Sequence, residues 1–269
     1  MTIDYPPFEA LLCERRGHAL WLTLNRPDAM NSMSPTLVAE IGQALDLMAD
    51  DRQVRCLVIT GSGRAFCAGA DLKAVKSLSG ETDPVVATKA FLSAATQLLS
   101  RIERLPLPVI AAVNGIALAG GLETVLVSDL VIAAEEAKFG DAHAKYGLLP
   151  GWGGSVRLPR KIGPNRAKQL IFTADHVPAR TMFDWGLVNE VVPRARLVEA
   201  VDAWVARLVD KSPLGLRRMK QLVDDGLEQS PETALRNEQL MVELHNQSHD
   251  RREGLAAFAE KRAPAFNGT

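Results

Sequence analysis

The stretch from Leu107 to Ala134 reads LPVIAAVNGIALAGGLETVLVSDLVIAA, and its interpretation decides the fold. It is the most apolar part of the chain, yet Asn114, Glu123, Ser128, Asp129 and several glycines interrupt it. No run of about twenty clean apolar residues survives, which excludes a membrane span. Val109 to Val113 and Leu130 to Ala134 instead have the length and continuity of buried parallel strands.

Working outward, the same pattern recurs. ALWLTLN at Ala19 to Asn25 and RCLVIT at Arg55 to Thr60 read as further strands. Between them Ser34-Pro35 has the form of an N-cap followed by proline at the first helical position. Leu37, Ile41, Ala44, Leu45 and Met48 then recur at helical spacing up to Asp50-Asp51. A polar loop is expected at Leu78 to Pro84 and a helix from about Val85 to Arg104. Phe91, Leu92, Ala95, Leu98, Leu99 and Ile102 lie on one side of that helix, and Leu105-Pro106-Leu107-Pro108 stops it. Strands alternating with helices define an α/β chain. Past Ser155 the only further strand expected is Leu187 to Val192. Helical patterns run from Arg196 onward, broken at Ser212-Pro213 and Ser230-Pro231. The expected organisation is an α/β core over residues 1–195 and a helical C-terminal segment over 196–269.

Composition narrows the function. The chain has 269 residues, 47% hydrophobic and 23% charged, as in soluble globular proteins. Lys plus Arg is 31 and Asp plus Glu is 32, a net charge of −1 that gives no footprint for nucleic acid. Three cysteines without a CxxC pair argue against a disulfide framework or zinc ribbon. The opening MTIDYPPFEALLCERRG has acidic residues and two prolines where a signal peptide has a basic start and an apolar run. A cytoplasmic location is expected.

GxGxxG, Walker A, HExxH and GxSxG motifs are absent; Gly153-Gly154-Ser155-Val156-Arg157 fails the last at its final position. What remains is two glycine-containing turns after buried strands, Ala65 to Lys73 (AFCAGADLK) and Asn114 to Glu123 (NGIALAGGLE). Small residues there let backbone N–H groups approach a ligand. Two such donors on one oxygen form an oxyanion hole, worth a few kcal/mol of transition-state stabilisation. The competing reading is a pair of tight packing turns. Glu123 sits in an apolar run, so its carboxylate is either paired with a cation or held for acid–base work.

These pieces resemble the crotonase superfamily, the enoyl-CoA hydratase/isomerase family, over nearly the whole chain. The resemblance is carried by NRPDAMN at Asn25 to Asn31, FCAGADLK at Phe66 to Lys73 and PVIAAVNGIALAGGLE at Pro108 to Glu123. SDLVIAAEEAKFG from Ser128, LLPGWGGSVRLPRKIG from Leu148, WGLVNEVVP ending at Pro193 and DRREGLAAFAEKR from Asp250 extend it. It implies a spiral of ββα turns and a helical trimerisation segment, assembled as a trimer or dimer of trimers. It implies an acyl-CoA thioester as substrate, with no metal or redox cofactor. The oxyanion-hole donors carried over are the N–H groups of Ala70 and Gly120, and the base is Glu123. Ala68, Ala70, Asp71 and Leu72 match the adenine-holding segment. Arg26 and Ala29 are carried over as substrate-binding positions. Lys73 and Lys261 match residues that meet CoA phosphates, and Phe258 one that lines the acyl pocket. The competing readings are solvated charge for the two lysines and plain core for Phe258. Pocket walls are expected from Val75 to Val86 and Ala142 to Gly147.

One departure is informative. Family hydratases carry a second glutamate in FGxxE, and here that stretch is Phe139-Gly140-Asp141-Ala142-His143. Histidine replaces it, with an ordinary pKa near 6.5 that suits a proton donor. Hydration by a Glu123/His143 pair is the first expectation. Isomerisation by Glu123 alone, or acyl-CoA binding without turnover, are the alternatives. The competing reading of His143 is a pocket-wall residue bonded to Asp141. A dehalogenase is disfavoured, because Gly151 stands where those relatives carry a nucleophilic aspartate.

Overall fold

The computed structural model describes residues 3–74 and 83–269. Its strands alternate between two sheets. The first sheet contains β1 (Leu11–Arg16), β2 (Ala19–Leu24), β3 (Cys56–Gly61), β5 (Val109–Val113), β7 (Leu130–Ala134) and β10 (Glu190–Val192), in that spatial order. The second contains β4 (Ala65–Cys67), β6 (Ile116–Leu118), β8 (Lys138–Gly140) and β9 (Val177–Pro178). Only the edge strands β1 and β9 pair antiparallel with their neighbours. Each turn of the chain therefore supplies one strand to each sheet: β3 then β4, β5 then β6, β7 then β8. The two strands Val109–Val113 and Leu130–Ala134 fall where the sequence predicts them. They pair in parallel, Ala111 opposite Val131, so the most apolar run of the chain is three strands and one short buried helix, Gly120–Leu126. No helix among the described residues is long and apolar enough to cross a membrane.

The short strands were not anticipated. Ala65–Cys67, Ile116–Leu118 and Lys138–Gly140 lie in stretches read as turns or left unassigned, and β1 and β9 were not expected at all. Three residues carry too little periodicity to mark a strand. Their pairing partners lie far along the chain, such as Ile116 with Lys138.

The helices follow their caps. In α1 (Pro35–Asp50) the Ser34 hydroxyl accepts from the Leu37 N–H at 3.1 Å. The predicted apolar stripe is buried, worth roughly 1.5–3 kcal/mol for each large side chain. Glu40 is buried with it, accepting the N–H groups of Glu9 and Ala10 at 2.8 and 2.9 Å. Helix α2 (Pro84–Glu103) starts behind Asp83 and buries the predicted stripe, except that Leu92 stays partly exposed. The loop expected at residues 78–84 lies mostly outside the described residues, as do 75–82 of the expected pocket wall. Then come α3 (Gly120–Leu126), α4 (Gly154–Ile162), α5 (Pro164–Thr173), α6 (Ala179–Asp184) and α7 (Leu197–Val209).

The chain divides into two compact units. One comprises Met1–Leu105 with Val109–Asp202, the other Pro106–Pro108 with Ala203–Thr269. The division at 202/203 falls inside α7, whereas the sequence reading put it at 195/196. The second unit is helical: the rest of α7, α8 (Pro213–Gly226), α9 (Pro231–His245) and α10 (His249–Glu260). Ser212, Ser230 and Ser248 cap the last three through their hydroxyls.

Asn31 and Asn114 brace the crossing from β3 to β4. Both donate from Nδ2 to the Ala65 carbonyl, at 2.8 and 3.2 Å. Asn31 also donates to the Ser62 carbonyl and accepts from the Arg26 N–H. Asn31 is fully buried with φ 55°, a conformation asparagine tolerates. Asn31→Ala strands the Arg26 N–H and the Ser62 carbonyl while the Ala65 carbonyl keeps Asn114, at about 1–3 kcal/mol for each group stranded. Chemical denaturation is expected to show the midpoint falling without a change in slope.

Candidate active site

The two glycine-containing turns come together. A β-carbon on Gly69 would lie 3.0 Å from Ala119 Cβ and 3.3 Å from the Gly120 nitrogen. A β-carbon on Gly121 would lie 2.0 Å from the Cys67 carbonyl oxygen, so only glycine lets α3 start this close to β4. The Ala70 N–H is bypassed by the local pairing: Met33 donates to the Gly69 carbonyl and accepts from the Asp71 N–H. Gly120 opens α3, so its N–H has no partner inside the helix. Ala119 pays for this geometry, with φ 48° and ψ −118° in a region that side chains rarely occupy.

Glu123 is one turn into α3 and only 2% exposed. The sequence offered a cation partner or acid–base work for this carboxylate, and no cation pairs with it among the described residues. Instead Oε1 accepts the backbone N–H groups of Trp152 and Gly154, both at 2.8 Å. Burial pushes the Glu123 carboxyl above the usual carboxylate range. The Gly154 and Trp152 donors and the His143 charge pull it down, and Asp141 pushes it up again.

The loop that presents those two N–H groups is itself held from outside. Arg157 donates to the Trp152 carbonyl at 2.8 Å and forms two bonds with Glu103, at 2.7 and 2.6 Å. Thr96 Oγ1 donates to the Gly151 carbonyl at 3.2 Å. The Trp152 ring is buried edge to face with Phe91, centroids 5.7 Å apart. It lies on Gly120, where a β-carbon would meet Cζ3 at 1.9 Å. The sequence reading missed Trp152 and Gly154 as holders of Glu123. The signal was present in PGWGGS, whose Gly153 adopts φ 103° and whose Gly154 opens α4.

His143 lies half-buried just past β8. Its ring Nδ1 is 3.1 Å from Asp141 Oδ1. Burial works to lower its pKa, but the Asp141 hydrogen bond and charge, together with the Glu123 charge, raise it above the ordinary imidazole value. The wall reading and the acid reading of His143 therefore share one geometry. Beyond His143, the stretch expected to form a pocket wall is exposed.

The remaining sequence-predicted positions divide. Arg26 and Asp71 are each other's partner at 2.7 Å, and Asp71 also accepts the Ala74 N–H at 2.9 Å. Hydrogen bonds to Ala74 and Arg26 hold its carboxyl low although burial opposes them. This pair ties the loop at 26–33 to the turn at 68–74. Ala29 ends the one-turn helix Pro27–Ala29, and the Ala68 N–H donates to the Met30 carbonyl. Leu72 and Lys73 are exposed. In the second unit Phe258, on α10, is 86% exposed and so is not core within this chain. Lys261 follows it in a left-handed cap with φ 55°.

This alternation of paired strands and helices is the crotonase fold. A model of the enoyl-CoA hydratase/isomerase family matches residues 14–269, and the chain belongs to that family. Crotonyl-CoA hydratase of Syntrophomonas wolfei is 38% identical over 260 residues, spanning 96% of this chain and 98% of that protein. The 1,2-epoxyphenylacetyl-CoA isomerase of Escherichia coli is 35% identical, spanning 97% and 99%. A crystal structure of enoyl-CoA hydratase from Bacillus anthracis superposes with a TM-score of 0.91 at 36% identity, covering 97% of this chain and all of that one.

Ala119→Gly relieves the strained backbone next to the candidate oxyanion-hole donor. It is expected to stabilise the fold by about 1 kcal/mol, the strain released less the extra chain entropy of glycine. The denaturation midpoint measures this.

Proposed function

We propose that the protein hydrates a trans-2-enoyl-CoA thioester. The observation that carries the reading is a buried carboxylate, Glu123, held by the Trp152 and Gly154 N–H groups one turn into the helix that Gly120 opens. In this reading those two N–H groups bind the thioester oxygen. Glu123 takes a proton from water as its oxygen bonds to C3. The C2–C3 π pair moves toward the thioester oxygen, which the two donors stabilise. His143 then delivers a proton to C2 as the enolate electrons return. The cycle leaves Glu123 protonated and His143 neutral, so a proton passes from one to the other, directly or through solvent, before the next turnover.

The hydratase relatives support this reading. The family's name, hydratase/isomerase, keeps a second one in view, in which Glu123 alone shuttles a proton between C2 and C4. In both readings Lys73, Lys261, Leu72 and Phe258 serve the CoA and acyl moieties. Assembly into a trimer or dimer of trimers is part of the proposal. The exposed Met219, Val223, Leu227, Leu240 and Leu244 of the helical unit support it.

Incubation with a short trans-2-enoyl-CoA, read by mass spectrometry, is expected to show a gain of one water. An unchanged mass with deuterium exchange on a 3-enoyl-CoA would establish the isomerase instead, and silence on both would leave binding without turnover. Glu123→Gln is expected to lower turnover by about 10²-fold or more while acyl-CoA binding persists; retained turnover would overturn the base assignment. Hydration requires Glu123 ionised and His143 protonated. Activity is thus lost toward acid as Glu123 gains its proton and toward alkali as His143 loses its own. Both limbs are displaced upward from the free side chains. His143→Gln is expected to remove the alkaline limb, and an unchanged profile would return His143 to the pocket wall.

A further inference from the structure

Asp141 is the most buried ionisable group in the turn after β8, 1% exposed. Its Oδ1 lies 3.1 Å from the His143 ring Nδ1 and accepts the His143 backbone N–H at 3.3 Å. Between them Ala142 adopts φ 61° and is itself buried. An alanine held in the left-handed region costs free energy that the surrounding structure must offset. Here the kink curls the chain so that one carboxylate oxygen reaches both donors of residue 143. The family pattern puts a glutamate at position 143. A histidine has two nitrogens, and its use as a donor depends on which one is committed elsewhere.

We propose that Asp141 is a positioning residue for His143, locking the ring with Nδ1–H on its carboxylate and leaving Nε2 to deliver the proton. The proposal rests on the hydratase reading for its catalytic consequence. In the proton-transfer step the Nε2–H bond breaks and its electron pair stays on nitrogen. The proton joins C2, and the neutral ring keeps Nδ1–H on Asp141. A buried carboxylate in contact with the ring also favours the imidazolium, so the acid stays charged to higher pH than a solvated histidine. Among the described residues, the ionisable groups acting on the ring are Asp141 from its own turn and Glu123 from α3. In the hydration cycle Glu123 takes up and releases a proton, whereas Asp141 takes no part in the proton transfers.

Nitrogen-15 NMR of histidine-labelled protein tests this without turnover, the His143 signal being assigned by its loss in His143→Gln. In the unsubstituted protein the neutral ring is expected to carry its proton on Nδ1. A neutral ring protonated on Nε2 overturns the proposal, and this measurement stands even if the Asp141 variants do not fold. Asp141→Asn keeps the size and removes the charge. Its His143 titration midpoint is expected to fall, with the alkaline limb of the hydration profile following by the same amount. At pH 8 kcat should then drop by roughly 10-fold to 100-fold with little change in KM, and Asp141→Glu should restore part of it. A midpoint that stays in place in Asp141→Asn also overturns the proposal. Absence of hydratase activity in the unsubstituted protein would instead sink the functional reading, leaving the tautomer measurement to decide the pairing.

Discussion

The close approach of two backbone turns is the constraint on which the rest of the molecule depends. Cys67 at the end of β4 and Gly121 at the start of α3 are so near that a single β-carbon would collide with the Cys67 carbonyl. Gly69 and Gly120 are held to glycine in the same way, by Ala119 on one side and the Trp152 ring on the other. The approach puts the Ala70 and Gly120 amides in adjoining turns, and neither is spent on the pairing around it. The two-sheet spiral exists, in this sense, to deliver β4 and β6 side by side. Asn31 and Asn114 secure the delivery from behind by converging on the Ala65 carbonyl.

The second organising feature is a carboxylate held by backbone rather than by a cation. A lysine or arginine at Glu123 would depress its pKa and blunt it as a base. Two amide donors satisfy the same oxygen while burial still lifts the group. Holding Glu123 then becomes a matter of holding the Trp152–Gly154 loop. Arg157, Glu103 and Thr96 do so from the outer side, and the Phe91–Trp152 contact does so by packing. Residues on the outer side of that loop thus set the orientation of the Glu123 carboxylate. The strain at Ala119 and Ala142 fits the same picture, since one precedes Gly120 at the start of α3 and the other lies between Asp141 and His143.

Much of this was legible in the sequence. Continuous apolar runs marked β2, β3, β5 and β7. Ser-Pro pairs marked three helix starts, at Ser34, Ser212 and Ser230, because an N-cap and a fixed proline φ are local properties. Glu123 drew attention as a charge inside an apolar run. The replacement of glutamate by His143 was visible as a departure from the family pattern. What the sequence did not disclose was who holds these groups. The amides on Glu123 have no counterpart among the expected partners, whereas Asp141 stands beside His143 as its pocket-wall reading has it. Arg26 and Asp71 were assigned separately to ligand binding, yet they pair with each other.

The sequence by itself determined where the long apolar strands and the proline-started helices lie and which residue types bear charge inside the core. Those depend on side-chain period, caps and composition within a few turns of chain. The tertiary structure alone decided the second sheet of two- and three-residue strands, the amide pair on Glu123 and the exposure of Phe258. Each is a matter of backbone groups or surfaces meeting across long sequence separations, as when Glu123 meets amides 29 and 31 residues away. A backbone N–H carries no side-chain signature, so only closure of the loops reveals which carboxylate it finds.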